Sequence, residues 1–365
     1  MAENPVDAGA GANPPTSSAE KYPCGSCGGL LNFDPHSGKL KCPYCGAEQA
    51  VPDSAQAAVE EHSFESFLSR VKTQSWGLKL ASIQCKSCGA VTQTNDRVSA
   101  MNCPFCDHPM VLDDSRLEAD AIRPESVLPF AVDPDRLAEG LRAWIRRHWF
   151  APSDLKKYWQ KGKIRSIYLP YWTFDARTHT QWTAEAGHYY YVRENNQQVR
   201  KVRWEPARGE RDDFFDDELL CASQGLAPAL LRQIEPFPTK ELKPYRSEYL
   251  AGHLCERYAL GPKEAWRGAQ ERIYAKLRTY CAGDVPGDTQ RNLQIHPTFS
   301  DIKIKHTLLP VYIGHYHYKG KDFPFYANGQ TGKIGGKTPI SWVKVLLVIL
   351  GILLLIAMYG YFGES

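Results

Sequence analysis

The stretch that decides the fold spans residues 24–46 and reads CGSCGGLLNFDPHSGKLKCPYCG. Its four cysteines follow the spacing C-x2-C-x14-C-x2-C, at Cys24, Cys27, Cys42 and Cys45. Two such pairs joined by a short linker place four thiolates on facing turns, in the all-sulfur tetrahedral geometry that zinc accepts. A module this small has almost no hydrophobic core, so metal binding has to supply its folding free energy. We therefore predict a zinc ribbon over residues 21–47.

The same spacing recurs 61 residues further along the chain, at Cys85, Cys88, Cys103 and Cys106. It predicts a second zinc ribbon over residues 83–112 and a second Zn2+ ion. Two alternatives stay open, because a redox dithiol needs only one C-x-x-C pair and tetrathiolate iron uses the same turns as zinc. The remaining cysteines are widely spaced and are interpreted as ordinary buried thiols: Cys221, Cys255 and Cys281.

Composition limits the classes of function. The 365 residues carry 44 Lys and Arg against 41 Asp and Glu, a formal net charge of +3. A protein that acts by coating nucleic-acid phosphates usually has a larger basic excess. The 11 cysteines are odd in number and few for a secreted disulfide framework, and residues 1–20 lack the apolar core of a signal peptide. These features favour a reducing cytoplasm for most of the chain.

Outside the ribbons, the composition divides the chain into units of different character. Residues 113–340 are predicted to form an aromatic-rich α+β cytoplasmic domain, so the predicted fold class is α+β. Helix-start signals recur at Pro134 and Pro262, each followed by an apolar strand. This recurrence indicates either two duplicated β-helix-β units or a coincidence between short apolar motifs. The other predicted units are a disordered leader at 1–20 and a helical linker at 48–82.

The C-terminal segment is strongly apolar. Val345 to Phe362 is a run of 18 residues without charge, about 27 Å long as a helix and close to the ~30 Å hydrocarbon core. Trp342 at one end and Tyr359, Tyr361 and Phe362 at the other are typical of aromatic residues at a membrane interface. The lysine-rich stretch before the run predicts cytoplasmic N-terminal domains. We therefore expect a tail-anchored, single-pass protein of the inner (cytoplasmic) membrane, with one transmembrane helix at 341–363.

No arrangement typical of catalysis is present. The acidic run at 212–218 is interpreted as a solvated loop or helix start. His315 and His317 would share one face of a strand, but without a third metal ligand they are interpreted as surface histidines. The run at 332–338 resembles a phosphate-binding loop, yet Thr331 stands where the first glycine is required. We predict that the protein is not an enzyme and has no catalytic or cofactor-binding residues.

Several short motifs are shared with a known family. They are Phe33-Asp34-Pro35, Cys42-Pro43-Tyr44-Cys45-Gly46, Glu60-Glu61-His62-Ser63-Phe64, Leu169-Pro170-Tyr171-Trp172 and Asn328-Gly329-Gln330-Thr331-Gly332-Lys333. On these motifs the chain, from about Lys21 to its end, resembles bacterial zinc-ribbon membrane proteins of the transcription-factor-IIB-ribbon type. Such proteins are often labelled primosomal protein N′ or helicase-like, a label that does not fit a sequence without a phosphate loop. The chain departs from the family at Cys106-Asp107, where the pattern has Cys-Gly.

The resemblance implies a role and a class of partner. Members of that family are found beside genes for phage-shock-protein-A-like and flotillin-like (SPFH) proteins, which implies membrane-stress complexes. We therefore expect a membrane-anchored zinc-ribbon adaptor that recruits such proteins to the cytoplasmic membrane face. The alternative is a membrane-tethered, nucleic-acid-binding or regulatory zinc-ribbon protein, which would require a basic and aromatic face on one ribbon.

Overall fold

The computed structural model describes eleven stretches of the chain. They are residues 22–52, 61–70, 81–84, 91–94, 100–102, 109–111, 122–152, 164–194, 196–256, 258–318 and 321–363.

Short strands and one helix form the first part of the described chain. They are β1 (Asn32–Asp34), β2 (Lys39–Lys41), β3 (Glu48–Gln49), β4 (His62–Ser63), α1 (Phe64–Arg70), β5 (Ala81–Gln84), β6 (Val91–Thr94), β7 (Ala100–Asn102), β8 (Pro109–Val111) and β9 (Ser126–Val127).

Much longer elements form the second part. They are α2 (Pro134–Arg147), β10 (Arg165–Glu194), β11 (Gln197–Cys221), α3 (Pro228–Ile234), β12 (Lys243–Pro244), β13 (Leu254–Cys255), α4 (Pro262–Asp284), β14 (Thr289–Tyr318), β15 (Lys321–Asn328), β16 (Ile334–Gly336) and α5 (Trp342–Gly363). We call the part from residue 122 to 340 the body.

The centre of the body is a mixed sheet in the order β11-β10-β14-β15-β16, with short strands added at its sides. Its three long strands are antiparallel neighbours, and Trp182 in β10 lies opposite Gly209 in β11 and Ile295 in β14. Side chains alternate along β10 because successive residues of a strand point to opposite faces. The inward positions are Ala176, Thr178, Thr180, Trp182, Ala184 and Ala186.

Helix α4 covers the inward face of these strands. One stripe of the helix is fully buried, at Ala269, Ile273 and Leu277, and it belongs to the same core cluster as Trp182 and Phe174. The spacing of that stripe is the i, i+4, i+8 repeat of an amphipathic helix. Both predicted helix starts are observed, since α2 begins at Pro134 and α4 at Pro262.

The predicted α+β fold class is wrong, because the protein is mostly β. Two stretches account for the difference. The first is residues 173–194, where small, polar and aromatic residues alternate with a period of two and build one half of a long hairpin rather than a short strand. The second is the acidic run at 212–218, which lies inside β11 and not in a loop or helix start. The strand conformation of these two segments depends on their cross-strand partners in the sheet, and the local propensity of their residues did not indicate it.

The C-terminal prediction also needs correction. Crossing the hydrocarbon core takes about 20 consecutive apolar residues in a helix. Within the part of the chain that the structure describes, none of the helices combines the length and the apolar character that such a crossing requires. The predicted transmembrane helix at 341–363, and with it the single-pass localisation in the inner membrane, is therefore wrong.

Candidate metal centre

The first four cysteines lie on two turns of the same construction. Cys24 N–H donates to the carbonyl of Gly29, and Gly28 N–H donates back to the carbonyl of Cys24 at 2.8 Å. In the second turn Cys42 N–H donates to Ala47, and Gly46 N–H donates to Cys42 at 3.0 Å. Gly28 and Gly46 adopt φ angles of 74° and 73°, in the left-handed region that glycine enters without steric cost. The Cys-Gly pair that recurs at residues 27–28 and 45–46 therefore forms the turn that directs each pair of thiols toward the other pair.

The four sulfur atoms converge on one point. Cys24 Sγ lies 3.5 Å from Cys45 Sγ, and Cys27 Sγ lies 3.5 Å from Cys42 Sγ. All four ligand atoms lie within 4.8 Å of one another. A tetrahedral site with Zn–S bonds near 2.3 Å requires sulfur–sulfur distances of about 3.8 Å. The cluster therefore fits a Zn2+ ion held by Cys24, Cys27, Cys42 and Cys45, the ligand set that the spacing predicts.

Hydrogen bonds divide these thiols into two classes. The backbone N–H of Ser26 lowers the pKa of Cys24 to about 6. The N–H of Cys45 lowers the pKa of Cys42 against the opposing effect of burial. The N–H of Ala47 acts in the same direction on Cys45, but the neighbouring thiols outweigh it and raise the pKa of Cys45 to about 12. Because adjacent thiolates repel each other, all four can be charged together only around a cation, and Zn2+ supplies that charge.

The ribbon is joined to the body through an apolar face. Leu31, Phe33 and Leu40 are buried in one core cluster with Tyr249 and Phe130 of the body. Two polar contacts seal the same face, since Phe33 N–H donates to the carbonyl of Ala251 at 2.9 Å and Tyr22 Oη–H donates to Ser247 Oγ at 2.7 Å. A zinc bound here would hold the ribbon in the shape that this face requires. A metal at this site would therefore have a structural role.

The second cysteine set lies outside the described residues. The structure does describe the strands on both sides of each predicted turn: β5 pairs with β6 around Cys85 and Cys88, and β7 pairs with β8 around Cys103 and Cys106. The second ribbon and the second Zn2+ ion stay predictions.

A cluster of carboxylates that the sequence did not indicate lies beside α1. One oxygen each of Glu61, Asp175 and Asp217 lies within 4.8 Å of the others. Lys305 Nζ is 3.1 Å from Glu61 Oε1 and 2.7 Å from Asp217 Oδ1, so an ammonium group already lies among these carboxylates. Burial, followed by the hydrogen bond with Glu61, raises the pKa of Asp175 to about 7. The cluster joins the segment after the first ribbon to the sheet by ion pairing, and its members are too far apart in sequence for any local pattern to reveal it.

The three widely spaced cysteines are placed apart from both clusters. Cys281 is buried on α4, and Cys221 and Cys255 are half-buried in the body. Burial raises the pKa of Cys221 and of Cys255 to about 12, so these thiols are protonated at neutral pH. Protonated thiols are poor nucleophiles and poor metal ligands. Of the three cysteines interpreted as buried thiols, Cys281 is buried, whereas Cys221 and Cys255 are half-buried.

Comparison with known proteins gives one match over the ribbon and one over most of the chain. Residues 20–54 match the family model of the FORGETTER1 second zinc ribbon domain. The chain is 28% identical over 339 residues to the uncharacterized protein YdjG of Bacillus subtilis (strain 168), which covers 91% of this chain and 93% of that relative. No solved structure matches the chain. The links to phage-shock-protein-A-like and flotillin-like proteins that the resemblance implies stay predictions.

The matched residues include all four cysteines of the sulfur cluster and the short strands β1, β2 and β3. Spacing, geometry and the family match agree on the same short segment. This chain therefore contains a zinc ribbon domain of the FORGETTER1 type, whose four cysteines, Cys24, Cys27, Cys42 and Cys45, form a Zn2+ site.

Proposed function

We propose that the protein is a non-enzymatic adaptor whose first zinc ribbon binds a partner protein. The observation that carries the proposal is the exposed face of the ribbon. Tyr44, in the second cysteine turn, is 81% exposed, and Leu30, just after the first turn, is 48% exposed. The opposite face of the ribbon is already buried against the body. The exposed face is therefore held in a fixed position while its apolar side chains remain available to a partner.

The position of Tyr44 is defined by its contact with the first turn. A Cβ atom added to Gly29 would lie 2.7 Å from Cδ2 of the Tyr44 ring. Only glycine leaves room for the ring to rest on the backbone there. Tyrosine in a preformed position loses little conformational entropy on binding, which is why it is common among residues that dominate protein interfaces.

The charges of the ribbon favour a protein partner over a nucleic acid at this face. Lys39 Nζ lies 3.2 Å from Glu48, and Lys41 Nζ lies 4.0 Å from both Asp34 and Glu48. Each lysine within the described residues of the ribbon therefore has a carboxylate neighbour. Phosphate binding at this face would have to compete with those pairs.

The partner class that we propose is the one that the family resemblance implies, a phage-shock-protein-A-like or flotillin-like protein. A photo-crosslinking amino acid placed at Tyr44 in the full chain, in cells, tests this. Tyr274, an exposed tyrosine on α4, is the matched control position. We expect a cross-linked protein of that class at position 44 and none at position 274, identified by mass spectrometry. Cross-linking to nucleic acid, equal cross-linking at both positions or no cross-linking at position 44 would reject the proposal.

A further inference from the structure

The long hairpin of β10 and β11 extends beyond its support. The third strand, β14, starts opposite Gly187, where Thr289 is the partner residue, and α4 ends at Asp284. We call residues 188–203 the hairpin tip. Its strand residues, 188–194 and 197–203, pair only with each other among the strands that the structure describes. Seven residues of β10 lie in the tip, so the tip reaches about 24 Å past Gly187. An isolated two-stranded ribbon gains little stability of its own.

The tip concentrates positive charge. It contains Arg193, Arg200, Lys201 and Arg203 against a single acidic residue, Glu194. These sixteen residues therefore carry a net charge of +3, the same as the whole 365-residue chain. Lys201 forms an ion pair with Glu194, and Arg203 Nε lies 3.0 Å from Glu205, just below the tip. Among the described residues, Arg193 and Arg200 have no carboxylate within ion-pair distance.

Aromatic rings accompany these charges on both faces of the tip. Tyr189, Tyr190 and Tyr191 are consecutive, so the first and third point to one face and the second to the other. Tyr191 lies opposite Arg200 and Tyr190 lies opposite Lys201. The guanidinium of Arg200 lies 4.3 Å from the centre of the Tyr189 ring. Tyr191 is 64% exposed although a ring of this size would gain from burial.

The row of rings continues into the body on the face that carries Tyr189 and Tyr191. Trp204 lies opposite Gly187 on that face, and the guanidinium of Arg291 lies 4.1 Å from its ring centre. Rings two residues apart on one strand are separated by about 6.8 Å. The rings of Trp204, Tyr189 and Tyr191 therefore follow one another over about 14 Å of this face. The guanidinium groups of Arg291 and Arg200 lie against the first two of these rings.

We propose that the hairpin tip binds single-stranded nucleic acid. Unpaired bases stack on exposed aromatic rings, and the phosphates between them pair with Arg or Lys, so binding needs both groups in alternation. A duplex keeps its bases stacked and would use only the cations. The proposal does not depend on the adaptor role of the ribbon, because the tip and the ribbon share no residues.

Fluorescence anisotropy with the full chain tests the proposal. The probes are fluorescein-labelled dT20, its RNA counterpart rU20 and a 20-base-pair DNA duplex, at 50 and 200 mM salt. We expect both single strands to bind more tightly than the duplex and the affinity to fall with salt. Comparison of dT20 with rU20 distinguishes DNA from RNA as the ligand.

Substitutions assign the binding to the tip. Tyr191→Ala should weaken dT20 binding about fivefold or more, and Tyr191→Phe should bind like the wild type, because stacking needs the ring and not the hydroxyl. Arg200→Ala should reduce the salt slope by about 0.7, the contribution of one phosphate contact to a single strand. The matched controls lie on β11 below the tip, namely Phe214→Ala for an exposed ring and Arg208→Ala for an exposed charge. Both should leave binding unchanged.

Three results would overturn the proposal. The first is the absence of oligonucleotide binding at 50 mM salt. The second is binding that the tip substitutions leave unchanged, which would move the nucleic-acid site to another part of the chain. The third is preferential binding of vesicles of anionic phospholipid over dT20 and rU20, which would assign the tip to a lipid surface. The adaptor role of the ribbon is tested by cross-linking at Tyr44 and not by oligonucleotide binding. Failure of one proposal is therefore distinguishable from failure of the other.

Discussion

The aromatic ring of Phe33 lies edge-on to the ring of Tyr249, with the ring centres 5.3 Å apart. The first residue belongs to the zinc ribbon and the second to the body. Because Phe33 also donates its N–H to the carbonyl of Ala251, the ribbon contacts the body through both side chain and backbone. We therefore expect the stability of the body to depend on the integrity of the metal site.

Replacing Phe33 by alanine should destabilise the body by about 3–5 kcal/mol, the usual cost of removing a buried phenylalanine. Urea unfolding followed by tryptophan fluorescence measures this effect, because all nine tryptophans lie outside residues 21–47. Tyr44→Ala, an exposed aromatic position in the same ribbon, is the control and should change stability by less than about 0.5 kcal/mol. Equal unfolding midpoints for the Phe33 variant and the wild type would mean that the two parts are independent.

Metal content should follow the two cysteine sets. We expect two zinc ions in the full chain, and one in each of the variants Cys24→Ser and Cys85→Ser, because the sets share no ligands. Plasma mass spectrometry of the purified protein gives the count. A wild-type content of one zinc that Cys85→Ser leaves unchanged would show that the second set does not bind metal, and iron in place of zinc would correct the identity of the ion.

The turn at Gly28 should require glycine for its backbone conformation alone. A Cβ atom at Gly28 would meet nothing within 4 Å, so the cost of Gly28→Ala comes from its φ angle of 74°. That cost is about 1–2 kcal/mol, equivalent to roughly five- to thirtyfold weaker zinc binding in a chelator competition. Gly25→Ala is the matched control, since Gly25 also has open space but no left-handed backbone. Similar zinc affinities for the two variants would mean that the left-handed backbone at Gly28 does not affect zinc binding.

The carboxylate cluster predicts how stability depends on pH. Asp175 has a pKa of about 7 in the folded protein against 3.8 as its ordinary value, so the folded state binds the proton more tightly. The contribution of this group to stability is complete below pH 3.8 and is lost as the pH rises toward 7, by up to about 1.4 kcal/mol per pH unit. Asp175→Asn should remove this part of the pH dependence in urea unfolding between pH 4 and 8. Asp216→Asn, at an exposed position of the same region, should leave it in place. A pH profile that Asp175→Asn leaves unaltered would mean that Asp175 is ionised throughout.

For α2 and for the fold class, the outcome of the prediction follows the sequence separation of the residues that interact. The start of α2 was predictable because Pro134 and the capping side chain of Asp133, which accepts the N–H groups of Asp135 and Arg136 at 2.8 Å, are adjacent in sequence. The fold class was not, because the two strands of 30 residues, β10 and β14, pair with each other across more than a hundred residues of sequence. The predicted membrane span failed as well, although the apolar run that prompted it is continuous in sequence.

By itself the sequence determined the metal site. Its four ligands lie within 22 residues, and the Cys-Gly turns that orient them are formed by hydrogen bonds between neighbours, so spacing alone carried the geometry. Only the tertiary structure decided what surrounds that site. The docking of Phe33 on Tyr249, the placement of Lys305 among three carboxylates and the projection of the hairpin tip beyond β14 each join residues from distant segments. Such contacts arise when the chain closes long loops to bury apolar surface. A local pattern of residues does not indicate which distant segments will come together.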